Sequence, residues 1–362
     1  MAAMLEVVNS GPLSTLQDLG RRGRMKYGVP PSGALDQEAL AVANLLAENP
    51  EGAVGIEITY GNFSVRALAP VVLACAGAWA SVSVDSIAVS PWTTLSVMPG
   101  EIVSVGAPAW GVQVYLAVRG GIAAPLVMGS ASTCTRAALG GIDGQGRALR
   151  AGDLIATPDR PSPSPSPGPG HVPSLLAAST VTARAAAALA KRQAAFARAH
   201  SPAAASARCP VAIRVVMGPQ DDHFTDGGRR TLVTEEFTLT SKADRMGLRF
   251  EGPAIEHSRG ADIISDGMPR GAVQVPGDGK PIIMLADRQT TGGYPKIACV
   301  ARVDLDLLAH LRPGDRVRFA ALPAEEAHES LIHEQAASRA SGRALRILID
   351  GIEHVVTVCE LQ

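Results

Sequence analysis

The sequence predicts a mainly β protein whose sheets close into barrels or pack as sandwiches. Aromatic residues make up only 4% of the 362 residues, whereas 37 Gly and 26 Pro supply many turn positions. Short runs rich in β-branched residues lie between those turns, at residues 71–73, 112–116, 213–216, 282–285 and 316–319. Strands of this length between Gly and Pro signals are typical of barrels and sandwiches. We therefore expect few helices, all of them short.

Composition and charge exclude two classes of partner. Hydrophobic residues form 46% of the chain, which is enough for a well-buried core, and 33 Lys and Arg balance 34 Asp and Glu to a net charge of -1. Binding to nucleic acid or to a membrane surface needs a basic face, so no nucleic-acid partner and no membrane partner are expected. No apolar run approaches the ~18–20 residues that a membrane-spanning helix needs.

The amino-terminal stretch and the cysteines predict a cytoplasmic protein. The stretch MAAMLEVVNSGPLST lacks the basic start and long apolar core of a signal peptide. The five cysteines are scattered without CxxC spacing, at Cys75, Cys134, Cys209, Cys299 and Cys359. Buried thiols in a reducing compartment fit this pattern better than a disulfide framework or a zinc site.

The chain divides into four predicted regions. Residues 1–156 and 209–324 are two β-rich halves that resemble each other weakly, each with a strand that runs into Arg and Gly-Gly. Between them, residues 157–208 combine the tract PDRPSPSPSPGPG with an Ala-rich run, which predicts a linker with a marginally docked helix. Residues 325–362 predict a helix followed by a hairpin that turns at Asp350-Gly351.

Two polar, glycine-rich clusters are candidates for a site. Residues 15–36, TLQDLGRRGRMKYGVPPSGALD, combine arginines and aspartates with four glycines. Residues 284–295, MLADRQTTGGYP, place a dense set of donors directly after an apolar strand. Glycines let backbone N–H groups approach a ligand, and arginine offers a planar fork for carboxylate or phosphate. The alternative for the first cluster is a surface loop in which Asp18 pairs with the neighbouring arginines.

Two further segments carry polar residues on predicted strands. In KADRMGLRFEG, residues 242–252, Asp244 and Arg245 precede an alternating strand, where they either fix the strand entry or contact a ligand. In SDGMPRGAVQVPGDGKP, residues 265–281, Gln274 points away from both neighbouring valines. Its amide needs a partner, which is either backbone or substrate.

Several familiar site motifs are absent from the sequence. There is no GxxxxGK[ST] phosphate loop, no Rossmann fingerprint, no GxSxG elbow and no HExxH. His328 and His333 lie five residues apart and so do not share one helical face. No metal site is predicted.

Taken together, the motifs resemble one known family. The segments that carry the resemblance are TLQDLGRRGRMKYGVPPSGALDQEALAVANLL, GIEITYGNFSV, YLAVRGGI with MGSAST, VVMGPQDDHF, ADRMGLRFEGP and GAVQVPGDGKPIIMLADRQTTGGYPKIACVARVDLDLLAHLRPGDRVRF. Their order from about residue 5 to residue 320 is similar to that of the allophanate hydrolase subunit 2 family, which is also called the biotin-dependent carboxyltransferase family. The linker and the tail depart from the family pattern.

The resemblance implies a fold, partners and an activity. It implies two cyclophilin-like β-barrels in one chain and a complex with a B-type partner protein of the allophanate hydrolase subunit 1 type. In the 5-oxoprolinase members, an A-type partner of the lactam-hydrolase type joins them, and the assembly uses ATP to open the small-molecule substrate 5-oxoproline to glutamate. ATP is thus the expected cofactor, at a site possessed or shared by the partners, and biotin is not expected on this chain because no Met-Lys-Met attachment sequence is present.

Residue types suggest roles for the site under this function. The proposed carboxylate or phosphate clamps are Arg21, Arg245 and Arg288, with Asp18, Asp36 and Asp287 to orient them or to act as acid or base. Gln289, Thr290 and the backbone of Gly292 and Gly293 would donate to developing negative charge, and Gln274, Thr291 and Tyr294 complete the substrate contacts. We expect the amino-terminal loops and the later Arg-Gln-Thr-Thr turn to converge on one positively lined pocket shared by the two barrels.

Two other functions remain open at the level of sequence. One is the carboxyltransferase part of a biotin-dependent urea or amide carboxylase, with biotin arriving on another protein. The other is a non-catalytic antagonist that binds a histidine-kinase inhibitor protein.

Overall fold

The computed structural model describes residues 3–158, 181–182, 210–339, 342–349 and 352–359. The chain divides into two compact units. Unit 1 comprises Met1–Gly20, Asp36–Ala197 and Gln335–Gln362, and unit 2 comprises Arg21–Leu35 and Arg198–Glu334. Residues 21–35, which lie in the first half by sequence, therefore belong to unit 2.

Unit 1 is built on one strongly curled sheet. Its strands are β1 Ala3–Ser10, β2 Leu13–Gln17, β3 Gly55–Thr59, β4 Phe63–Ala67, β5 Val71–Val84, β6 Ile87–Val89, β7 Thr94–Val97, β8 Ile102–Val118 and β9 Leu154–Ala156. They follow the order β2-β3-β8-β4-β1-β9, while β5 pairs with β6, β7 and β8. The long strands β5 and β8 pair over most of their length with several register shifts, which bend the sheet around its core.

The first helix of unit 1 begins directly after Asp36. Helix α1, Gln37–Leu46, is capped by Asp36, whose Oδ1 accepts from the backbone N–H of Ala39 at 2.9 Å.

A further small sheet pairs β10 Val181–Thr182 with β20 Gly342–Ile349, which pairs in turn with β21 Ile352–Cys359. The predicted turn at Asp350-Gly351 and the predicted linker helix lie outside the described residues.

Unit 2 contains a closed barrel. Its barrel strands are β11 Val211–Met217, β12 Phe237–Leu239, β13 Gly247–Glu251, β15 Ala272–Gln274, β16 Ile282–Met284, β18 Lys296–Val300 and β19 Arg316–Ala321. The order β11-β18-β15-β16-β13-β12-β19 closes through a parallel pair between β19 and β11. Two short strands, β14 Asp266–Gly267 and β17 Thr291–Gly292, form a separate ladder. Phe237, Phe250 and Phe319 pack against one another in the barrel core.

Helices are few among the described residues. Besides α1 there are α2 Asp226–Thr234, α3 Leu305–Leu308 and α4 Ala324–Arg339, together with 3-10 turns at Met25–Tyr27, Asp221–His223 and Arg302–Asp304. Helix α2, with its Gly-Gly start, is not predicted from sequence, and Thr225 stabilises it by accepting from the N–H of Gly228 at 2.9 Å. The mainly β prediction is confirmed: unit 2 closes fully, whereas the sheet of unit 1 curls without closing.

Candidate active site

The turn after strand β16 begins with a buried ion pair. Asp287 Oδ2 accepts from Arg245 Nε at 2.9 Å, and Asp287 Oδ1 accepts from Arg245 Nη2 at 3.2 Å. The two side chains are only 12% and 6% exposed, for Arg245 and Asp287 respectively. A bidentate pair in this environment holds both groups rigidly. Asp287 therefore holds Arg245 in place and balances its charge.

The loop of residues 21–35 packs directly on this turn within unit 2. Arg245 Nη2 donates to the carbonyl of Gly33 at 2.8 Å, and the N–H of Ser32 donates to the carbonyl of Ala286 at 3.1 Å. Ser32 is a buried non-glycine residue with a φ of 55°, and its hydroxyl has no hydrogen-bond partner. Residues 21–35 therefore contact the later turn within unit 2, whereas the pocket shared by the two barrels stays a prediction.

Arg288 is a buried cation with no acidic partner among the described residues. Its side chain is 6% exposed. Nε donates to the carbonyl of Met268 at 2.7 Å, Nη1 donates to the carbonyl of Leu285 at 3.1 Å, and Nη2 lies 3.7 Å from Met25 Sδ. Burial, with a smaller contribution from the charge of Arg270, lowers the pKa of Arg288 to about 10. Only carbonyl oxygens and a thioether contact this buried charge, so no carboxylate compensates it. Such a site favours binding of an anion.

The residues after Arg288 form an open polar edge. Gln289 is half-buried, and its Oε1 is buried without a hydrogen-bond partner. Thr290 is half-buried and its carbonyl accepts from the N–H of Met268 at 3.0 Å, while Thr291 is exposed. The carbonyl of Gly293 accepts from the N–H of Ile263 at 2.8 Å. The backbone is thus held by neighbours, while the threonine hydroxyls take no part in these bonds.

Gln274 supports this edge from the barrel. Its Nε2 donates to the carbonyl of Tyr294 at 3.1 Å, so the amide finds the backbone partner that its position on an apolar strand requires. Gly292 lies against the same amide: a Cβ there would come within 2.7 Å of Gln274 Nε2 and 2.4 Å of Met268 Cε. Gln274 therefore acts on the turn through packing and a hydrogen bond.

Lys296 is a charged residue of this region that sequence reasoning missed. It lies opposite Gln274 across β15 and β18 and is 1% exposed. Its Nζ lies 2.9 Å from Asp266 Oδ2, and this hydrogen bond is the main cause that lowers the pKa of Asp266. In the sequence, a lysine after proline at the start of an apolar strand resembles a solvent-facing strand end, so no signal distinguished it.

Asp18, in unit 1, has a structural role. Its carboxylate accepts from the Ser130 and Ser132 hydroxyls, both at 2.6 Å, and from the N–H groups of Ala131 at 2.8 Å and Gly20 at 2.7 Å. The alternative in which Asp18 pairs with the neighbouring arginines is wrong, because these four donors occupy its carboxylate. Orienting Arg21 is likewise not its role. Arg21 itself is buried, with its N–H donating to the carbonyl of Pro31 at 2.6 Å.

Asp36, also in unit 1, joins a buried network that sequence reasoning did not predict. Its N–H donates to Tyr115 Oη at 2.8 Å, and Tyr115 Oη donates to Glu57 Oε2 at 2.7 Å. Burial, and then the charges of Glu57 and Asp36, raise the pKa of Tyr115 well above its usual value. The signal was available: Glu57 lies between Ile56 and Ile58 on a strand, which predicts a carboxylate on the face opposite the core.

The same face of unit 1 carries a row of buried polar residues. Thr15, Glu57 and Tyr115 lie opposite one another on the adjacent strands β2, β3 and β8. One step along, Thr59 Oγ1 donates to Gln113 Oε1 at 3.0 Å, and Gln17 Nε2 donates to the carbonyl of Thr133 at 3.1 Å. The opposite face of these strands contributes Leu16, Ile56 and Leu116 to the apolar core. Unit 1 therefore buries both faces of this sheet region, one apolar and one polar.

Comparison with known proteins fixes the family. The model of the carboxyltransferase domain, subdomain A and B, matches residues 27–321. The chain belongs to this carboxyltransferase-domain family. It is 32% identical over 324 residues to the C subunit of 5-oxoprolinase from Escherichia coli K12, covering 90% of this chain and 93% of that protein. The predicted resemblance is confirmed.

Larger members of the carboxyltransferase-domain family match only in part. Urea amidolyase of Saccharomyces cerevisiae is 26% identical over 334 residues, which cover 89% of this chain and 17% of that protein. The crystal structure of K. lactis urea amidolyase superposes with a TM-score of 0.76 at 25% identity, covering 93% of this chain and 20% of that chain. The two-unit β architecture is therefore shared with a segment of a much longer enzyme.

The described residues contain neither a cluster of metal-binding side chains nor a helix suited to cross a membrane. No three His, Cys, Asp or Glu side chains in this part of the chain are placed to hold a metal ion. None of the helices in the described ranges has both the length and the apolar character to cross a membrane.

Proposed function

We propose that the chain is the C-type component of an ATP-dependent 5-oxoprolinase, which opens the lactam of 5-oxoproline to L-glutamate together with A-type and B-type partner chains. The similarity to the C subunit of the E. coli 5-oxoprolinase supports this function, because it extends through nearly the whole of both chains. The match to urea amidolyase instead covers a small part of a longer protein.

The observation in the structure that carries the proposal is the uncompensated charge of Arg288. 5-Oxoproline brings a carboxylate, and ATP-driven opening places negative charge on the lactam oxygen. A buried guanidinium without a carboxylate partner among the described residues is suited to either anion. Arg245 is less suited as the clamp, because Asp287 already occupies it in a bidentate pair.

The neighbouring residues define how the anion would be held. The Thr290 hydroxyl follows Arg288 by two residues on an edge whose backbone is fixed by Met268. Ser32, with its unpartnered buried hydroxyl, approaches the same turn from the early loop. A lactam carbonyl is a poor electrophile. Transfer of the γ-phosphoryl group of ATP to its oxygen, with release of ADP, would make the carbonyl carbon of the ring susceptible to attack by water. Donors fixed before that step stabilise the developing charge.

The test is reconstitution with the two partner chains, measured as ATP-dependent glutamate release. We expect turnover only when all three chains are present. Arg288→Met should reduce kcat/KM by about 10- to 100-fold, because loss of a charge-assisted contact costs about 1.5–3 kcal/mol. Arg249→Met, which removes an exposed arginine from strand β13 of the same unit, is the matched control and should leave the rate unchanged.

A second measurement separates loss of binding from loss of folding. Because a ligand that binds only the folded state raises its stability, 5-oxoproline should raise the Tm of the wild-type complex and of Arg249→Met, but not that of Arg288→Met. Arg288→Lys keeps a charge and should retain part of the shift. Wild-type turnover in Arg288→Met would remove the proposed clamp.

Carboxyl transfer is the second candidate, favoured by the description of the family model itself. It predicts that turnover of urea or another amide requires bicarbonate and a biotinylated carrier supplied in trans. Glutamate release without bicarbonate would exclude it. If the chain binds a B-type partner tightly but no mixture turns over any lactam or urea substrate, the non-catalytic antagonist remains.

A further inference from the structure

One exposed loop of unit 2 carries a concentration of positive charge. Residues 22–28 carry Arg22, Arg24 and Lys26, all exposed. None of the three is paired with a carboxylate in the part of the chain that the structure describes, and Asp18, the nearest acid in sequence, is occupied by Gly20 and the 130–132 segment. The whole chain carries a net charge of only -1, so three unpaired cations within five residues are a local concentration of charge.

The loop is placed beside the buried cation Arg288. Met25 stands at the centre of the loop, and its Sδ lies 3.7 Å from Arg288 Nη2. Gly23 and Gly28 have φ angles of +76° and +75°, and no atom lies within 4 Å of the position of a Cβ at either residue. Two glycines in the left-handed region with open space around them let the loop turn back sharply and let its backbone approach a ligand. The exposed cations of the loop therefore lie in a segment that contacts the buried Arg288 within unit 2.

An exposed aromatic ring completes the loop. Tyr27 is 66% exposed, and Lys26 Nζ lies 5.0 Å from the centre of its ring. An exposed tyrosine ring offers a flat apolar face, and nucleobases stack on such rings in a sequence-tolerant way. Cations next to a stacking ring match a ligand that joins an aromatic base to a chain of phosphates.

We propose that residues 22–28 bind a nucleoside triphosphate, with Arg22, Arg24 and Lys26 on the phosphates and Tyr27 stacked on the base. The inference deepens the proposed function, on which it rests for the presence of ATP, and it assigns nucleotide binding to a loop without a Gly-rich phosphate motif. An acidic surface of a partner protein is the competing ligand. The exposed Tyr27 ring next to Lys26, together with the nearby buried Arg288, favours the small polyanion.

The experiment measures the Kd for ATP by titration calorimetry on the full chain. The loop variant carries Arg22→Gln, Arg24→Gln and Lys26→Gln. The matched control carries Arg230→Gln, Lys242→Gln and Arg249→Gln, which remove the same charge from other positions of unit 2. We expect the loop variant to lose at least about tenfold in affinity and the control less than about twofold. Because the contacts are ionic, the wild-type affinity should fall with added salt.

A second comparison separates the base from the phosphates. Tyr27→Ala should weaken ATP binding by about five- to tenfold while leaving the Kd for inorganic tripolyphosphate unchanged, because the ring contacts only the base. Tyr27→Phe keeps the ring and should bind ATP as the wild type does. Tripolyphosphate should displace ATP, whereas adenosine should bind weakly.

Three results would overturn the proposal: no ATP binding to the wild-type chain, equal losses in the loop variant and its control, or a loop variant that keeps ATP but no longer assembles with its partner chains. The last result would make the loop a protein contact. Failure of the proposed function can be distinguished from failure of this inference. If the loop binds ATP but the three-chain mixture releases no glutamate, the proposed function is wrong and the nucleotide site remains.

Discussion

Two buried arginines of unit 2 have opposite electrostatic environments. Arg245 forms a bidentate pair with Asp287, whereas Arg288, which directly follows that aspartate, meets only carbonyls and a methionine sulfur. The depressed pKa of Arg288 reflects the free energy that its charged form loses on burial. An anion would restore that free energy at Arg288 but would have to displace Asp287 at Arg245. The two arginines are thus not interchangeable as ligand contacts.

Tyr115 gives a residue-scale prediction for unit 1. Tyr115→Phe removes the hydroxyl that donates to the buried Glu57, and we expect a loss of about 1–3 kcal/mol in the free energy of unfolding at pH 7. Tyr60→Phe is the control, because Tyr60 is partly exposed and its hydroxyl has no hydrogen bond to the described residues. Urea denaturation measures both. Equal stability of the two variants would contradict the network.

The same residue gives a pH dependence with a definite sign. The folded pKa of Tyr115 is raised above its unfolded value of 10.0, so its contribution is complete below that pH and is lost as the pH rises further. The difference in stability between wild type and Tyr115→Phe should therefore shrink above about pH 10. A difference that stays constant up to the alkaline unfolding transition would show that Tyr115 ionises equally in both states.

At the scale of elements, the ladder of β14 and β17 carries the polar edge of the candidate site. The pairs Asp266 with Gly292 and Gly267 with Thr291 bring the turn after Arg288 against the segment that contains Asp266. Lys296 fixes Asp266 through its buried ammonium group, and Gln274 fixes the carbonyl of Tyr294. Both anchors come from barrel strands, so a rigid scaffold positions an exposed turn.

Adjacent glycines in this turn provide a matched pair of variants. In Gly292→Ala, the added Cβ would meet Met268 and Gln274, both buried, and we expect a loss of about 1–3 kcal/mol in the free energy of unfolding. In Gly293→Ala, the nearest atom is the carbonyl oxygen of Ile263 at 3.6 Å, so little change is expected. Thermal melts of both variants measure the difference, and a tolerated Gly292→Ala would mean that the turn does not pack on Gln274.

Features that depend on neighbouring residues could be predicted from the sequence, whereas features that depend on strand pairing could not. Every β-branched run between Gly and Pro signals forms a strand, and Asp36 caps helix α1, because both features depend on neighbours in sequence. The buried states of Lys296 and Glu57 depend on strands paired across the sheet, which no local pattern records. Likewise, the sequence predicts both Arg245 and Arg288 as anion contacts. It does not show that Arg245 alone is paired, because its partner Asp287 is distant from Arg245 in sequence.

At the scale of the whole molecule, the early loop is part of the barrel unit. Leu35 packs in the core of unit 2, Gly33 accepts from Arg245, and Ser32 donates to Ala286. The sequence predicted the convergence but assigned residues 21–35 to the first half, because nothing in a linear pattern marks a segment that leaves one folded unit for another. The site residues Arg21, Arg245 and Arg288 thus share one unit, whereas Asp18 and Asp36 belong to the other.

This membership predicts how fragments behave. A fragment of residues 210–322 lacks the loop, and we expect it to have lost near-UV circular dichroism and a cooperative melt, because its core lacks Leu35 and Arg245 lacks its carbonyl acceptor. The same fragment with residues 21–35 fused through a Gly/Ser linker should recover both signals. A cooperative melt at the same temperature in both fragments would show that the loop is dispensable.

Because residues 21–35 belong to unit 2, the chain passes from one unit to the other four times. From its start the chain belongs to unit 1, then to unit 2 at Arg21–Leu35, again to unit 1, again to unit 2 at Arg198–Glu334, and finally to unit 1. No single cut in the gene separates one complete unit from the other. Genetic recombination readily exchanges domains that follow one another along the chain. Here it would have to transfer the coding sequence of both units together.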